Sequence, residues 1–181
     1  FDDTVELIEG RGLPLHELPS FEAGGPKPQL FFDPTRTRVG IVTCGGLCPG
    51  LNDVIRGLVL ELHTHYGVRD VLGFRNGYAG MNPGSGLDPV VLTADGVARI
   101  NERGGTILGS SRGAQDPAVI VDRLTELSID VLFVIGGDGS MRGAHRIVEE
   151  IDRRGDRIAV YSNVGAEPSD WGASGGVERV D

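Results

Sequence analysis

Two stretches of this chain place an apolar run, a cluster of glycines and a helical pattern in immediate succession, and that order restricts the fold more than anything else. The first is Val39-Gly-Ile-Val-Thr43 leading into Cys44-Gly-Gly-Leu-Cys-Pro-Gly50; the second is Asp130-Val-Leu-Phe-Val-Ile135 leading into Gly136-Gly-Asp-Gly139. Short runs with no polar alternation read as strands buried on both faces. Behind the first turn, Val54, Ile55, Leu58, Val59 and Leu62 fall on one helical face; behind the second, Ala144, Ile147, Val148 and Ile151 do the same, up to Gly155. Strand, glycine turn and helix in repetition predict an α/β domain with a mostly parallel sheet covered on both faces. Ligands of such sheets gather at the carboxyl ends of the strands, where both turns fall.

The rest of the chain fits between these units. Val68 to Phe74 reads as a strand leading into Arg75-Asn-Gly-Tyr-Ala-Gly80, and Thr93 caps a helix predicted to run through about Arg103, ended by Gly104-Gly105. Asp116 and Pro117 supply a cap and a first-turn proline for a helix with Ile120, Leu124 and Leu127 on one side. Arg157 to Tyr161 reads as one more strand. Residues 1–36 are rich in proline and charge and read as an arm or loop, 37–161 as the domain, and 162–181 as an irregular tail.

A glycine turn at the mouth of a helix brings several N–H donors onto an anion, and the helix end adds roughly half a unit of positive charge. Glycine after a strand also serves positive φ angles or close helix packing. The second turn says more, because Asp138 between glycines would repel a phosphate unless a divalent cation bridges them. Ser140 is suited either to donating to a phosphate or to capping the following helix. The first turn is not a P-loop, since no Lys-Ser or Lys-Thr follows, and not the Gly-x-Gly-x-x-Gly dinucleotide fingerprint, which disfavours hydride transfer. Between the turns, Arg112 follows the small residues Gly109-Ser-Ser111. Its fork of donors suits a phosphoryl group, although an exposed surface arginine is the plain alternative.

Other classes of function recede on composition. With 17 Lys and Arg against 26 Asp and Glu the 181-residue chain carries a net charge of −9, which argues against nucleic acid as a partner. No apolar stretch approaches the roughly twenty residues of a membrane span, so the reading is a soluble, cytoplasmic protein. Cys44 and Cys48 are too few for a structural zinc site, and His16, His63, His65 and His145 do not complete one. Both cysteines are expected to pack the turn as small, partly buried residues, without a disulfide.

Four segments in this order, Thr43 to Gly57, Gly73-Phe-Arg-Asn-Gly-Tyr-Ala-Gly80, Gly104 to Arg112 and Gly136-Gly-Asp-Gly-Ser140, resemble the phosphofructokinase family, in its Cys-Gly-Gly-Leu-Cys-Pro-Gly branch, from about Arg38 to Val160. The resemblance implies a three-layer Rossmann-like domain of the family's N-terminal type, and transfer of a phosphoryl group from magnesium-bound ATP, or in some members pyrophosphate, to the 1-hydroxyl of fructose 6-phosphate in glycolysis. It places Gly45, Gly46, Tyr78, Arg112, Gly113, Gly137, Asp138, Gly139 and Ser140 at the nucleotide. Arg112 would span the phosphoryl group in flight, and Asp138 would hold magnesium. In the family the residue after that Asp distinguishes donors, and Gly139 is similar to ATP users. Oligomers are usual in the family, so a homo-oligomer is implied, with neither nucleic acid nor membrane as partner.

Past Val160 the pattern departs. Where the family continues into Pro-Lys-Thr-Ile-Asp-Asn-Asp, whose first Asp takes the sugar hydroxyl's proton, this chain reads Tyr161-Ser-Asn-Val-Gly-Ala-Glu-Pro168. Glu167, Asp170, Glu178 and Asp181 lie outside that motif and receive no such role. Loss of a general base alone lowers a rate by about 10²–10⁴. Loss of acceptor positioning, where effective molarities reach about 10⁵ M or more, removes the rest. The expectation is a truncated or frame-shifted product with no useful kinase activity by itself. Two other readings are weighed beside it: a non-catalytic nucleotide-binding fragment, and an enzyme similar to diacylglycerol or NAD kinases, which share only the Gly-Gly-Asp-Gly turn.

Overall fold

The structure, a computed structural model, describes residues 30–163. Residues 1–29 of the arm read over 1–36, and residues 164–181 of the tail read over 162–181, with its four carboxylates, lie outside the described residues. Five strands form one sheet: β1 (Arg38–Thr43), β2 (Asp70–Phe74), β3 (Val90–Val91), β4 (Val131–Ile135) and β5 (Ala159–Asn163), in the order β3-β2-β1-β4-β5. All neighbours run parallel except β3, which pairs antiparallel with β2. β1 is central because it is apolar on both faces: Gly40 is in register with Leu72 on one side and Leu132 on the other. Its first residue, Arg38, is fixed by its own side chain, whose Nε donates to Asp70 Oδ2 at 2.6 Å and whose Nη1 donates to the Leu127 carbonyl at 2.8 Å.

Each face of the sheet is covered. On one, α1 (Leu51–Glu61) and α3 (Ala94–Val97) bury Leu51, Ile55, Val59 and Val97 against Val39, Ile41, Val71 and Ile135. On the other, α2 (Gly77–Met81), α4 (Pro117–Glu126) and α5 (Asp138–Arg154) bury Met81, Ile120, Leu124, Ile147 and Ile151 against Val42, Phe74, Leu132 and Val134. Each such side chain contributes about 1.5–3 kcal/mol relative to remaining in water. The result is the predicted three-layer α/β arrangement. The chain leaves β1 toward β2 and later returns to its other side as β4, so their carboxyl ends flank the switch point where open parallel sheets bind ligands. Cys44 N–H donates to the Ile135 carbonyl at 2.8 Å and locks the two exits together.

Several boundaries differ from the sequence reading. The single helix expected from Thr93 to Arg103 is α3 followed by a 3₁₀ turn over Ile100–Glu102. Thr93 caps it as expected, accepting from Gly96 N–H at 3.0 Å, but the chain then turns toward α1. There Asn52 donates to the Arg103 carbonyl at 3.0 Å and accepts from Ile107 N–H at 2.8 Å. β2 starts at Asp70 rather than Val68, whose N–H closes the end of the α1 segment on Leu62 O at 2.9 Å. β5 is shifted to Ala159–Asn163 because Asp156 N–H is still engaged by Ile151 O at 3.2 Å behind Gly155. The cap at Asp116 is as read, accepting from Ala118 N–H at 2.9 Å with Pro117 in the first turn.

Candidate functional site

The first glycine turn, the segment ending at Arg112 and the amino end of α5 meet around a cavity of about 460 Å³. All nine residues singled out as nucleotide-binding, Gly45, Gly46, Tyr78, Arg112, Gly113, Gly137, Asp138, Gly139 and Ser140, line it. A second hollow, of about 530 Å³, lies beyond Gly46 and is bounded by Leu47, Gly104, Gly105 and Ser110. Arg112 borders both, and its Nη2 lies 3.8 Å from where a side chain on Gly46 would begin.

The glycines serve two different purposes. Gly45 has φ +82° and spends its N–H on the Ser111 carbonyl at 3.2 Å, while its own carbonyl accepts from Ser110 Oγ. That amide holds the loop and is not offered to an anion. Gly136 has no room: a Cβ there would lie 2.6 Å from Cys44 O and 2.6 Å from Ser140 Cβ. A Cβ on Gly137 would meet nothing within 4 Å, and one on Gly139 would meet only Arg142 Nη2 at 4.0 Å, so neither is glycine for packing.

Ser140 does not cap the helix, which settles one of the two roles open to it. Gly137 occupies the cap position without a side-chain bond, and Ser140 lies inside the first turn of α5, buried beside Gly45 and Gly136. Tyr78 presents its ring to the cavity and crosses Gly143, where a Cβ would come within 2.5 Å of its Cε2. Its hydroxyl donates to the Ser140 carbonyl at 2.7 Å, and burial, with the nearby Cys44 second, pushes its acidity far below that of an ordinary phenol. Burial likewise pushes the Cys44 thiol up to about 12, so it is neutral at physiological pH. The expected packing role holds for Cys44 alone; Cys48 is exposed, at the rim of a turn that the pair was expected to fill together. Both are free thiols, and no cluster of three or more His, Cys, Asp or Glu suited to a metal exists among the described residues.

Sequence reading passed over Arg142 and Arg146, which also line the cavity. They continue a row from Asp138 at steps of four residues, one face of α5, and that spacing was available in the sequence. Gln115, Pro117 and Ile120, from the entry to α4, and Ile147 of α5 line it as well. The cavity therefore combines three guanidinium groups, one exposed carboxylate at a helix amino end and an apolar side, a set that suits a polyanion with an organic tail. No helix among the described residues is long and apolar enough to cross a membrane.

Comparison with known proteins identifies the family. The family model described as Phosphofructokinase matches residues 38–165. A relative from Amycolatopsis methanolica named ATP-dependent 6-phosphofructokinase is 53% identical over 159 residues, which are 88% of this chain and 34% of that protein. One of the same name from Trypanosoma cruzi is 49% identical over 140 residues, 77% of this chain and 29% of the relative. Among solved structures, a pyrophosphate-dependent phosphofructokinase from Marinobacter aquaeolei superposes with a TM-score of 0.62 at 19% identity, over 70% of this chain and 32% of the other. The Saccharomyces cerevisiae phosphofructokinase does so with a TM-score of 0.58 at 27% identity, over 72% and 20%. The chain thus spans about a third of the length of the curated relatives it matches.

Proposed function

The chain belongs to the phosphofructokinase family, and we propose that its domain over 37–161 is the donor half of a 6-phosphofructokinase site, built to hold magnesium-bound ATP. The observation that carries this is the convergence of Arg112, Asp138 and the amino end of α5 on one cavity with an apolar side wall. In this reading Gly46 and Gly137 leave room for the donor phosphates, Arg112 straddles the phosphoryl group being transferred, and Pro117, Ile120 and Ile147 border the nucleoside. Asp138 fits magnesium held through one carboxylate and the donor's phosphates, because no other carboxylate among the described residues lines the cavity. The ion would supply neutralisation of phosphate charge. Gly139, and relatives named as ATP-dependent, favour ATP over pyrophosphate as donor.

The overall reaction proposed is transfer to the 1-hydroxyl of fructose 6-phosphate, a glycolytic step in the cytoplasm. In the 181 residues themselves the reading is nucleotide binding rather than transfer, because the four-motif match supplies donor contacts and the acceptor's base motif is not among its residues. Titration calorimetry of the 181-residue chain with ATP and magnesium tests it. MgATP should bind, and Asp138→Ala should weaken MgATP at least about tenfold while leaving metal-free ATP within about twofold, as removal of a charge-assisted partner does. A variant that binds MgATP as well as the parent removes Asp138 from the metal; a parent that binds no MgATP ends the donor reading.

A further inference from the structure

Arg112 is the one charged side chain that borders both hollows, yet it has no hydrogen bond of its own among the described residues, so the segment behind it decides where its guanidinium stands. That segment is tied at every residue from Thr106 to Ser111. Ile107 N–H donates to Asn52 Oδ1 at 2.8 Å, Leu108 O accepts from Asn76 N–H at 2.7 Å, Gly109 O accepts from Thr43 Oγ1 at 2.7 Å, Ser110 Oγ donates to Gly45 O, and Ser111 O accepts from Gly45 N–H at 3.2 Å. Resting on the donor reading, we propose that Thr43 is a positioning residue for the phosphoryl contact: its buried hydroxyl sets Arg112 against the glycine turn that Thr43 itself leads into.

Thr43 Oγ1 and Thr106 Oγ1 lie 2.9 Å apart, and the direction of that bond follows from its neighbours. A carbonyl only accepts, so the Thr43 proton goes to Gly109 O and Thr106 supplies the proton between the two hydroxyls. Thr106 Oγ1 accepts in turn from Leu108 N–H at 3.1 Å. Thr43 is fully buried at the end of the apolar run Val39-Gly-Ile-Val42, in register with Ile135. Strand packing alone calls for valine there, which has the same shape and no hydroxyl to satisfy. What the hydroxyl adds is its hold on Gly109, three residues before Arg112. Asn52, the other outside side chain on this segment, grips it further back, at Arg103 and Ile107. Thr43 also joins directly to Cys44, Gly45 and Gly46, which line the donor cavity. One hydroxyl therefore fixes the spacing between two walls of the site, and a phosphoryl contact tolerates only about 0.5 Å of misplacement.

Titration calorimetry of the 181-residue chain with MgATP is the test, each variant being held at a temperature where circular dichroism shows it folded, so that lost stability alone moves nothing. Arg112→Met should weaken MgATP about tenfold, as loss of a charge-assisted contact does. Thr43→Val should weaken it about fivefold, and Thr43→Ser, which keeps the hydroxyl, should stay within about twofold of the parent. Added to Arg112→Met, Thr43→Val should cost less than about a further twofold, because the residue it acts through is already gone. Losses that multiply in full, or a Thr43→Val chain that binds like the parent, make Thr43 a residue of the fold alone and overturn the proposal. Thr43→Ala against Thr43→Ser isolates the same hydroxyl without the branched methyl, and a gap of less than about twofold between them overturns it as well. Any of these results in a parent that binds MgATP sinks this inference alone, while a parent that binds no MgATP sinks the donor reading and this inference with it.

Discussion

At its carboxyl end α5 carries Arg153 and Arg154; it carries Arg142 near its amino end and Arg146 at its middle. The first pair is fully engaged. Arg153 donates to both oxygens of Glu150, at 2.8 and 2.6 Å, and Arg154 reaches Glu150 and Asp122 at 2.6 Å each and the Ala118 carbonyl at 3.1 Å. These contacts tie α5 to α4. The second pair has no such partner among the described residues and faces a cavity floored by glycine. The same residue type thus fastens the fold at one end and is held ready for an anion at the other. What separates the two uses is how the carboxylates are engaged: Glu150 and Asp122 take Arg153 and Arg154, whereas Asp138, one turn before Arg142, forms no ion pair with it among the described residues.

The sharpest break in that contrast comes from the glycines themselves, because Gly136 at the amino end belongs structurally to the fold. Gly136→Ala should destabilise the protein by about 3 kcal/mol in chemical denaturation, since the new methyl is driven into Cys44 O and Ser140 Cβ and neither can retreat from the β1–β4 junction. Gly137→Ala, one residue on with open space, should stay within about 0.5 kcal/mol of the parent. Equal losses would mean that both glycines are there for packing, and the division between a packed and an open side of the turn would fail.

Much of this was legible beforehand and the remainder was not, for reasons that can be located. β1 and β4 declared themselves as unbroken apolar runs, and the Asp116-Pro117 cap and the Gly155 stop are local chemistry that tertiary structure had no cause to override. β3 is two residues, Val90 and Val91, on an exposed edge, too short for any periodicity to register. The break after α3 depends on Asn52, more than fifty residues earlier, bonding Arg103 and Ile107. Gly45 looked like a phosphate donor because its neighbourhood is glycine-rich, yet its N–H is taken by Ser111, a partner no local pattern reveals. Ser140 left capping and phosphate contact both open, and only its place inside the helix removes capping. Arg142 and Arg146 were readable from their four-residue spacing behind Asp138, but charges on a helix are ordinarily a solvated face and spacing alone does not say otherwise.

A smaller effect of opposite sign tests whether Gly139 is open. Gly139→Ala replaces the poorest non-proline helix former with the best in the first turn of α5, and its Cβ meets only the mobile end of Arg142. Stability should rise by about 0.5 kcal/mol, read as an increased denaturation midpoint at unchanged slope. A loss of stability would place something firm above position 139 and reduce the glycine to a packing residue like Gly136.

At the other end of the helix, Glu150 gives the smallest and most selective effect. Hydrogen bonds from Arg153 and then Arg154 hold its carboxyl down to about 2, from an ordinary value of 4.5. Because the folded-state value is depressed, the stabilisation is present above about pH 4.5 and is lost as pH falls toward 2. Glu150→Gln should therefore be slightly less stable than the parent at pH 6, with the difference shrinking below pH 4.5 and vanishing near pH 2. Its MgATP affinity at pH 7 should stay within about twofold, since the clasp to α4 is about 18 Å along the helix from Asp138. A marked loss of binding without loss of stability would show the two ends to be coupled, and the carboxyl-end arginines would then belong to the site as much as to the fold.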